Sequence, residues 1–214
     1  MTEIVLIRHG ETDWNAERRM QGHLDIGLNT VGYRQAELLA AALRDEACEV
    51  VISSDLQRAC DTARPLVQLC GVAWIIDATL RERCFGAFEG LRYDEIETLF
   101  PHAHAAWQAR EIDARTPAGV HVAETLREFS QRAVASVIAH AQRHTGKKIA
   151  IVTHGGVLDC VYRFSTGMPL EKARSVEINN ASVNRFRWHQ GKLELLQWGD
   201  VSHLSMPVLD DLKQ

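Results

Sequence analysis

The sequence predicts an α/β fold, a three-layer α/β/α sandwich on a mostly parallel sheet with an inserted helical cap and a C-terminal hairpin. Three observations predict it. From Ile4 to Asp77, short apolar runs alternate with amphipathic helical periods in the order β-α-β-α-β with short links. Between about residues 83 and 122 that alternation breaks down into turns and short helical patches. Near the C-terminus, two strand-like runs are joined through His189-Gln190-Gly191. No repeat, linker or low-complexity segment interrupts the chain, so residues 1–214 read as a single domain with a cap insertion at about 83–122.

Taken in order, Ile4-Val5-Leu6-Ile7 is a buried strand that stops at Arg8-His9-Gly10. Glu11 to Gly27 is polar and turn-rich, a loop over the end of the sheet. Thr30 is placed to cap a helix reaching about Arg44, with Ala36, Leu39, Ala40 and Leu43 inward. Glu49 to Ser54 is a second strand. Ser54 and Gln57 have capping-box spacing for a helix that stops at Gly71, and Val72 to Asp77 is a third strand. In the insertion, helical patches fall at Asp94–Phe100 and His102–Arg110, the second just after Pro101. Such an insertion is a natural lid over the carboxyl edge of a sheet. Leu126, Phe129, Ala133, Val137 and Ala141 mark a long amphipathic helix closed by Gly146. Lys147 to Thr153 is then a strand running into His154-Gly155-Gly156, where a further helix begins. Ser182–Trp188 and Lys192–Trp198 form the hairpin.

Composition narrows the function. With 214 residues, 46% hydrophobic and 24% charged, the chain can bury a large core. A net charge of -4 does not steer polyanions, so nucleic acid is not expected as a partner and any anion site must be a local cluster. Five scattered cysteines without Cys-x-x-Cys spacing read as free thiols of a reducing compartment, not as disulfides or a zinc site. No signal segment and no bilayer-length apolar run are present, so the expectation is a cytoplasmic protein that does not use a membrane.

The chemistry gathers where strands end. His9 follows Ile4–Ile7, Arg58 opens the helix after the second strand, Glu82 follows the third, and His154 follows Ile149–Thr153. A parallel sheet brings all four to one edge, where helix N-termini also present N–H groups to an anion. A histidine beside an arginine is kept neutral and can act as a nucleophile, while Arg8 holds an anion before it. That combination suggests phosphoryl transfer through a phosphohistidine. The plainer reading, a histidine that merely caps its strand, does not explain two arginines, two histidines and a glutamate converging on one point. His140 and His144 stand at i, i+4 without a third ligand, and His102 and His104 likewise; both pairs read as solvated helix positions.

Leu6-Ile7-Arg8-His9-Gly10-Glu11-Thr12-Asp13-Trp14-Asn15 resembles the signature of the histidine phosphatase (phosphoglycerate-mutase-like) superfamily, close to the short bacterial members labelled phosphoglycerate mutase. Ser53–Ala59, Leu80-Arg81-Glu82 with Phe85–Gly90, Val152–Gly156 and Gly199–Leu204 match further blocks in order. The resemblance implies that His9 is phosphorylated, that Arg8, Arg58 and His154 bind the phosphoryl oxygens, and that Glu82 is the general acid and then the base. Glu89 is a second carboxylate on the same segment. Asn15 and Gln21 match loop positions that contact phosphate, and Gly155 would supply a backbone N–H. The implied partner is a small phosphorylated metabolite and no metal is implied.

Within the superfamily, the sequence favours a phosphomonoesterase of the metal-independent, acid-type class. The cap stretch Gln108–Pro117 has single arginines beside acids, and Arg83-Cys84-Phe85 departs from the mutase pattern. A less basic lid should admit water and hold glycerate phosphates weakly. The alternative is a phosphoglycerate mutase interconverting 2- and 3-phosphoglycerate, which would need 2,3-bisphosphoglycerate as primer. A third reading, a non-catalytic binding member, predicts a missing nucleophile or acid, and neither is missing here. Oligomeric state is not encoded legibly.

Overall fold

In the computed structural model, which describes residues 1–204 and 209–210, six strands form one mixed sheet in the order β3-β2-β4-β1-β5-β6. β1 (Thr2–Arg8), β2 (Val50–Ser53), β3 (Ala73–Ile76) and β4 (Lys148–Thr153) pair in parallel, and β5 (Val183–His189) pairs antiparallel with β1 and with β6 (Lys192–Asp200). After β1 come α1 (Asp13–Ala16) and α2 (Thr30–Leu43); α3 (Gln57–Cys70) links β2 to β3. α4 (Tyr93–Leu99) and α5 (Pro101–Gln108) lie in the insertion, α6 (Leu126–Arg143) precedes β4, and α7 (Gly155–Thr166) follows it.

The continuous apolar runs of β1 and β4 are explained by burial on both faces. Ile4, Leu6, Ile149 and Ile151 point one way, against Phe129 and Val137 of α6 and Val157 and Val161 of α7. Val5, Ile7, Ala150 and Val152 point the other way, against Leu39 and Leu43 of α2 and Ala59 and Leu66 of α3. Period-two alternation between two helical layers makes the sandwich. A third cluster, Met20, Phe88 and Ile96 with Trp107 and Phe100 against it, joins the first loop to the insertion.

Several caps differ from the expected ones. Asn29, not Thr30, caps α2, accepting from the Gly32 N–H. The Ser54–Gln57 capping box does not form: α3 begins at Gln57, whose N–H donates to Asp25 Oδ1 at 2.7 Å, and Ser54 Oγ accepts from Leu56. A carboxylate from a distant loop outcompetes the local hydroxyl. A capping box does form at Thr125 and Glu128, opening α6. Gly71 ends α3 at φ 63, the left-handed conformation that a side chain resists. A Cβ on Gly10 would lie 2.7 Å from Gly32 O, so glycine there lets β1's exit pack directly on α2. His140 is buried, not solvated as expected, and its Nε2 lies 2.7 Å from Asp77 Oδ2. Among the described residues, no helix is long and apolar enough to cross a membrane.

Candidate active site

Strand register puts the two histidines side by side. Arg8 pairs with Thr153 across β1 and β4, so the next residues, His9 and His154, leave the sheet edge level with each other. Their ring centroids are 5.2 Å apart, and both side chains are buried. His9 Nδ1–H donates to its neighbour's carbonyl, Gly10 O, at 2.7 Å. That bond fixes the tautomer and leaves the Nε2 lone pair unprotonated, the form a nucleophile needs. Burial, then the Arg58 and Arg8 charges, hold the His9 pKa well below 6.5. Burial and Arg58 do the same to His154, whose two ring nitrogens have no hydrogen-bond partner among the described residues. Since the charged form is the disfavoured one, His9 stays neutral far into the acid range. The acid limb of kcat/KM due to His9 is therefore expected well below pH 6.5. A pH–rate profile with NMR titration of His9 checks this; a His9 inflection at or above 6.5 would contradict it.

Arg58, the second residue of α3, is fully buried, and its Nη1 and Nη2 donate to Leu24 O (3.0 Å) and Gly22 O (2.8 Å). Neither bond goes to a carboxylate, and burial brings its pKa down to about 10. Arg8 Nη1 donates to Ile178 O at 2.6 Å. Backbone carbonyls thus orient both guanidiniums at the edge of the sheet.

Glu82 and Glu89 have separate fates. Glu82 lines the cavity beside His9, and its Oε2 accepts from the Gly156 N–H at 2.8 Å. Glu89 Oε1 accepts from the N–H groups of His23 and Phe85, both at 2.9 Å, so it organises the loop. The N–H given to a side chain is therefore that of Gly156, while Gly155 lines the cavity as the first residue of α7. A Cβ on Gly156 would stand 2.1 Å from Glu82 Oε1. Gly156→Ala is thus expected to displace the carboxylate and lower kcat on the order of 10²-fold without unfolding the protein, a result read by steady-state kinetics beside a thermal melt.

Asn15 and Gln21 both line the cavity. Asn15 Oδ1 accepts from the Thr12 N–H at 3.1 Å and closes the α1 cap, so its carbonyl is a loop-forming group. Gln21 Oε1 is buried without a partner among the described residues.

Sequence reasoning missed the frame that holds Glu82. Arg132 of α6 donates to Thr79 O and Arg81 O, both at 2.9 Å, and to Glu82 O at 3.1 Å, while its Nη2 and Nε bind Glu124 at 2.6 and 2.7 Å. Arg81 makes a two-bond fork onto Asp55 at 2.7 and 2.6 Å, tying Glu82's segment to the loop before Arg58. The only sequence signal was the placement of Asp55 and Arg81 inside matched blocks. Nearby, Cys84, Glu89 and His121 bring ligand-type atoms within 4.8 Å of one another. Burial pushes the Cys84 thiol up to about 11, so it is a neutral thiol at neutral pH.

The cavity has a volume of about 700 Å³. Among the described residues, seven arginines and four carboxylates line it, a positive enclosure in a chain of net charge -4. Register, tautomer and charge together describe an anion site with a neutral histidine at its base. The chain belongs to the histidine phosphatase superfamily (branch 1), which it matches over residues 4–201. It is 41% identical over 206 residues to phosphoglycerate mutase-like protein 4 of Arabidopsis thaliana, covering 94% of this chain and 86% of that one. It is 37% identical over 207 residues to the metal-independent phosphoserine phosphatase of the same plant, covering 96% and 84%. Among solved structures it is similar to Bacillus stearothermophilus YhfR, with a TM-score of 0.87 and 33% identity over 95% of this chain and 99% of that one.

Proposed function

We propose that this protein hydrolyses small-molecule phosphate monoesters through a phosphohistidine on His9 Nε2. The observation that carries the reading is a neutral, tautomer-locked His9 facing a carboxyl group, Glu82, across a cavity walled by arginines. The His9 lone pair forms the N–P bond as the ester O–P bond breaks, and Glu82 delivers its proton to the leaving oxygen. Glu82, now a carboxylate, takes a proton from water as that water attacks phosphorus and frees His9. Arg8, Arg58 and the single ring N–H of neutral His154 hold the phosphoryl oxygens, with Gln21 and the Gly155 N–H at the rim. Fixed guanidinium charge does what a metal ion does in other phosphoryl-transfer sites, so catalysis is expected to survive chelators. The name of the 37% identical relative supports the same expectation. Residues 83–122 act as the cap that closes the site.

A mutase reading is favoured by one observation: Arg83 and Arg110 stand on the cavity wall, so the cap is more basic at the site than its sequence suggests. The two readings separate with 3-phosphoglycerate, assayed with and without 2,3-bisphosphoglycerate while following both free phosphate and 2-phosphoglycerate. Phosphate release without isomerisation is the expected result. Primed isomerisation outrunning hydrolysis would establish the mutase instead.

A further inference from the structure

Cys84, Glu89 and His121 do not line the catalytic cavity, and phosphoryl transfer uses none of them. They come from the two ends of the cap insertion, Cys84 and Glu89 from its start and His121 from its close. Their sulfur, oxygen and nitrogen atoms lie within 4.8 Å of one another, and among the described residues no other three His, Cys, Asp or Glu side chains meet so closely. Cys84 is buried and the Glu89 side chain is 2% exposed, whereas that of His121 is 40% exposed. Solvent therefore reaches the cluster past the imidazole.

Glu89 is oriented as a metal ligand would be. Its Oε1 is committed to the N–H groups of His23 and Phe85, and its Oε2 lies 3.2 Å from His121 Nδ1. Carboxylates that bind metal ions are held by hydrogen bonds of this kind. On a tetrahedral zinc, bond lengths of ~2.0–2.3 Å place oxygen and nitrogen ligands about 3.3 Å apart, and sulfur and nitrogen ligands about 3.6 Å. Glu89 and His121 already stand at the first spacing. Closing the rest of the cluster asks a movement on the order of 1 Å, within reach of the half-exposed His121 ring. The Cys84 thiol is hydrogen-bonded to the Glu89 carboxylate, the place where an ion would displace its proton.

The frame around the cluster is set independently of any ion. Ala87 N–H donates to Pro117 O at 2.8 Å, Thr116 Oγ1 to Phe85 O at 2.7 Å, and Glu124 N–H to Cys84 O at 3.0 Å. A Cβ on Gly119 would lie 2.6 Å from Gly86 C, so the two loops press backbone to backbone. A thiol, an imidazole and a carboxylate together select a borderline-soft ion, because calcium and magnesium take oxygen ligands throughout. Glu89 and His121 are 32 residues apart, so no metal motif marks the cluster in the sequence.

We propose that Cys84, Glu89 and His121 bind a zinc-type divalent cation that staples the start of the cap to its close, with water as the fourth ligand. Binding sends the Cys84 thiol proton to solvent and leaves a metal-bound thiolate. The ion is structural and takes no part in phosphoryl transfer, so its removal lowers the melting temperature without ending turnover.

The test titrates the untagged, fully reduced protein with zinc against a chromophoric chelator, and with cobalt(II) as a spectroscopic stand-in. One zinc per chain, a raised melting temperature and a thiolate-to-cobalt charge-transfer band in the near ultraviolet are expected. Cys84→Ser should abolish the band. His121→Gln, on an exposed side chain that the fold does not need, should weaken zinc binding by about 10²-fold, the upper end of what even an outer hydrogen-bond partner of a ligand is worth. His9→Ala should bind zinc as the native protein does, which separates this site from the histidine pair of the catalytic cavity. No stoichiometric zinc uptake by the native protein would overturn the site. So would a cobalt complex without the thiolate band, or binding that survives His121→Gln and is lost in His9→Ala.

Discussion

His9→Ala is expected to lower kcat by roughly 10⁴-fold or more on every phosphate ester while leaving the fold and its melting temperature nearly unchanged. The size follows from what the ring does. Its Nδ1–H is committed to Gly10 O, so the opposite nitrogen of this cavity-lining ring keeps its lone pair free. Alanine removes that atom, and no neighbouring group replaces it: His154 is fully buried and Glu82 is held by the Gly156 N–H. The arginine cradle survives the substitution, so ligand binding should persist while turnover does not. A comparable loss in binding would mean that His9 shapes the site instead of reacting in it. Calorimetry with inorganic phosphate, beside the kinetics, checks both halves.

Glu82→Gln is expected to be the next most damaging change, with a signature of its own. General acid–base groups contribute about 10²–10⁴-fold, and Glu82 serves twice, once for the leaving group and once for water. With an alkyl phosphate, whose leaving oxygen needs a proton, the first chemical step should slow by that full range. With 4-nitrophenyl phosphate, whose leaving group departs unaided, a first-turnover burst should survive and the steady state should be limited by hydrolysis of the phosphohistidine. Glutamine keeps the acceptor for Gly156 N–H, so the segment should stay in place. Equal loss on both substrates without a burst would remove Glu82 from the acid role and reopen the case for Glu89. The geometry argues against that case, because Glu82 lines the cavity with His9, whereas Glu89 is not among the lining residues and binds the N–H groups of His23 and Phe85.

The layers of this fold were legible because both faces of the central strands are covered. Ile4–Ile7 and Ile149–Val152 carry no polar residue, and only a strand between two helical layers can be apolar at every position. The nucleophile was legible for a related reason: an apolar run that ends in Arg8-His9 must release its charges at the sheet's edge. What could not be read were contacts between residues remote in sequence. Gln57 takes its cap from Asp25, His140 finds Asp77, and Arg132 of α6 fastens the whole Thr79–Glu82 segment. The same holds for the cap. Arg110 read as one arginine beside acids, and its partner is Asp159, 49 residues further along the chain. Local pattern determines which elements form; which long side chains meet depends on the packing of those elements.

The central claim is a covalent phosphoryl group on His9. The direct measurement is rapid acid-free quench during turnover of 4-nitrophenyl phosphate, using Glu82→Gln to accumulate the intermediate, followed by mass spectrometry of the intact protein and its peptides. The expected result is a gain of one phosphoryl group, labile to acid and stable to base, located on His9 and absent from the His9→Ala protein. Turnover with no phosphorylated protein, or a phosphoryl group on any other residue, would contradict it.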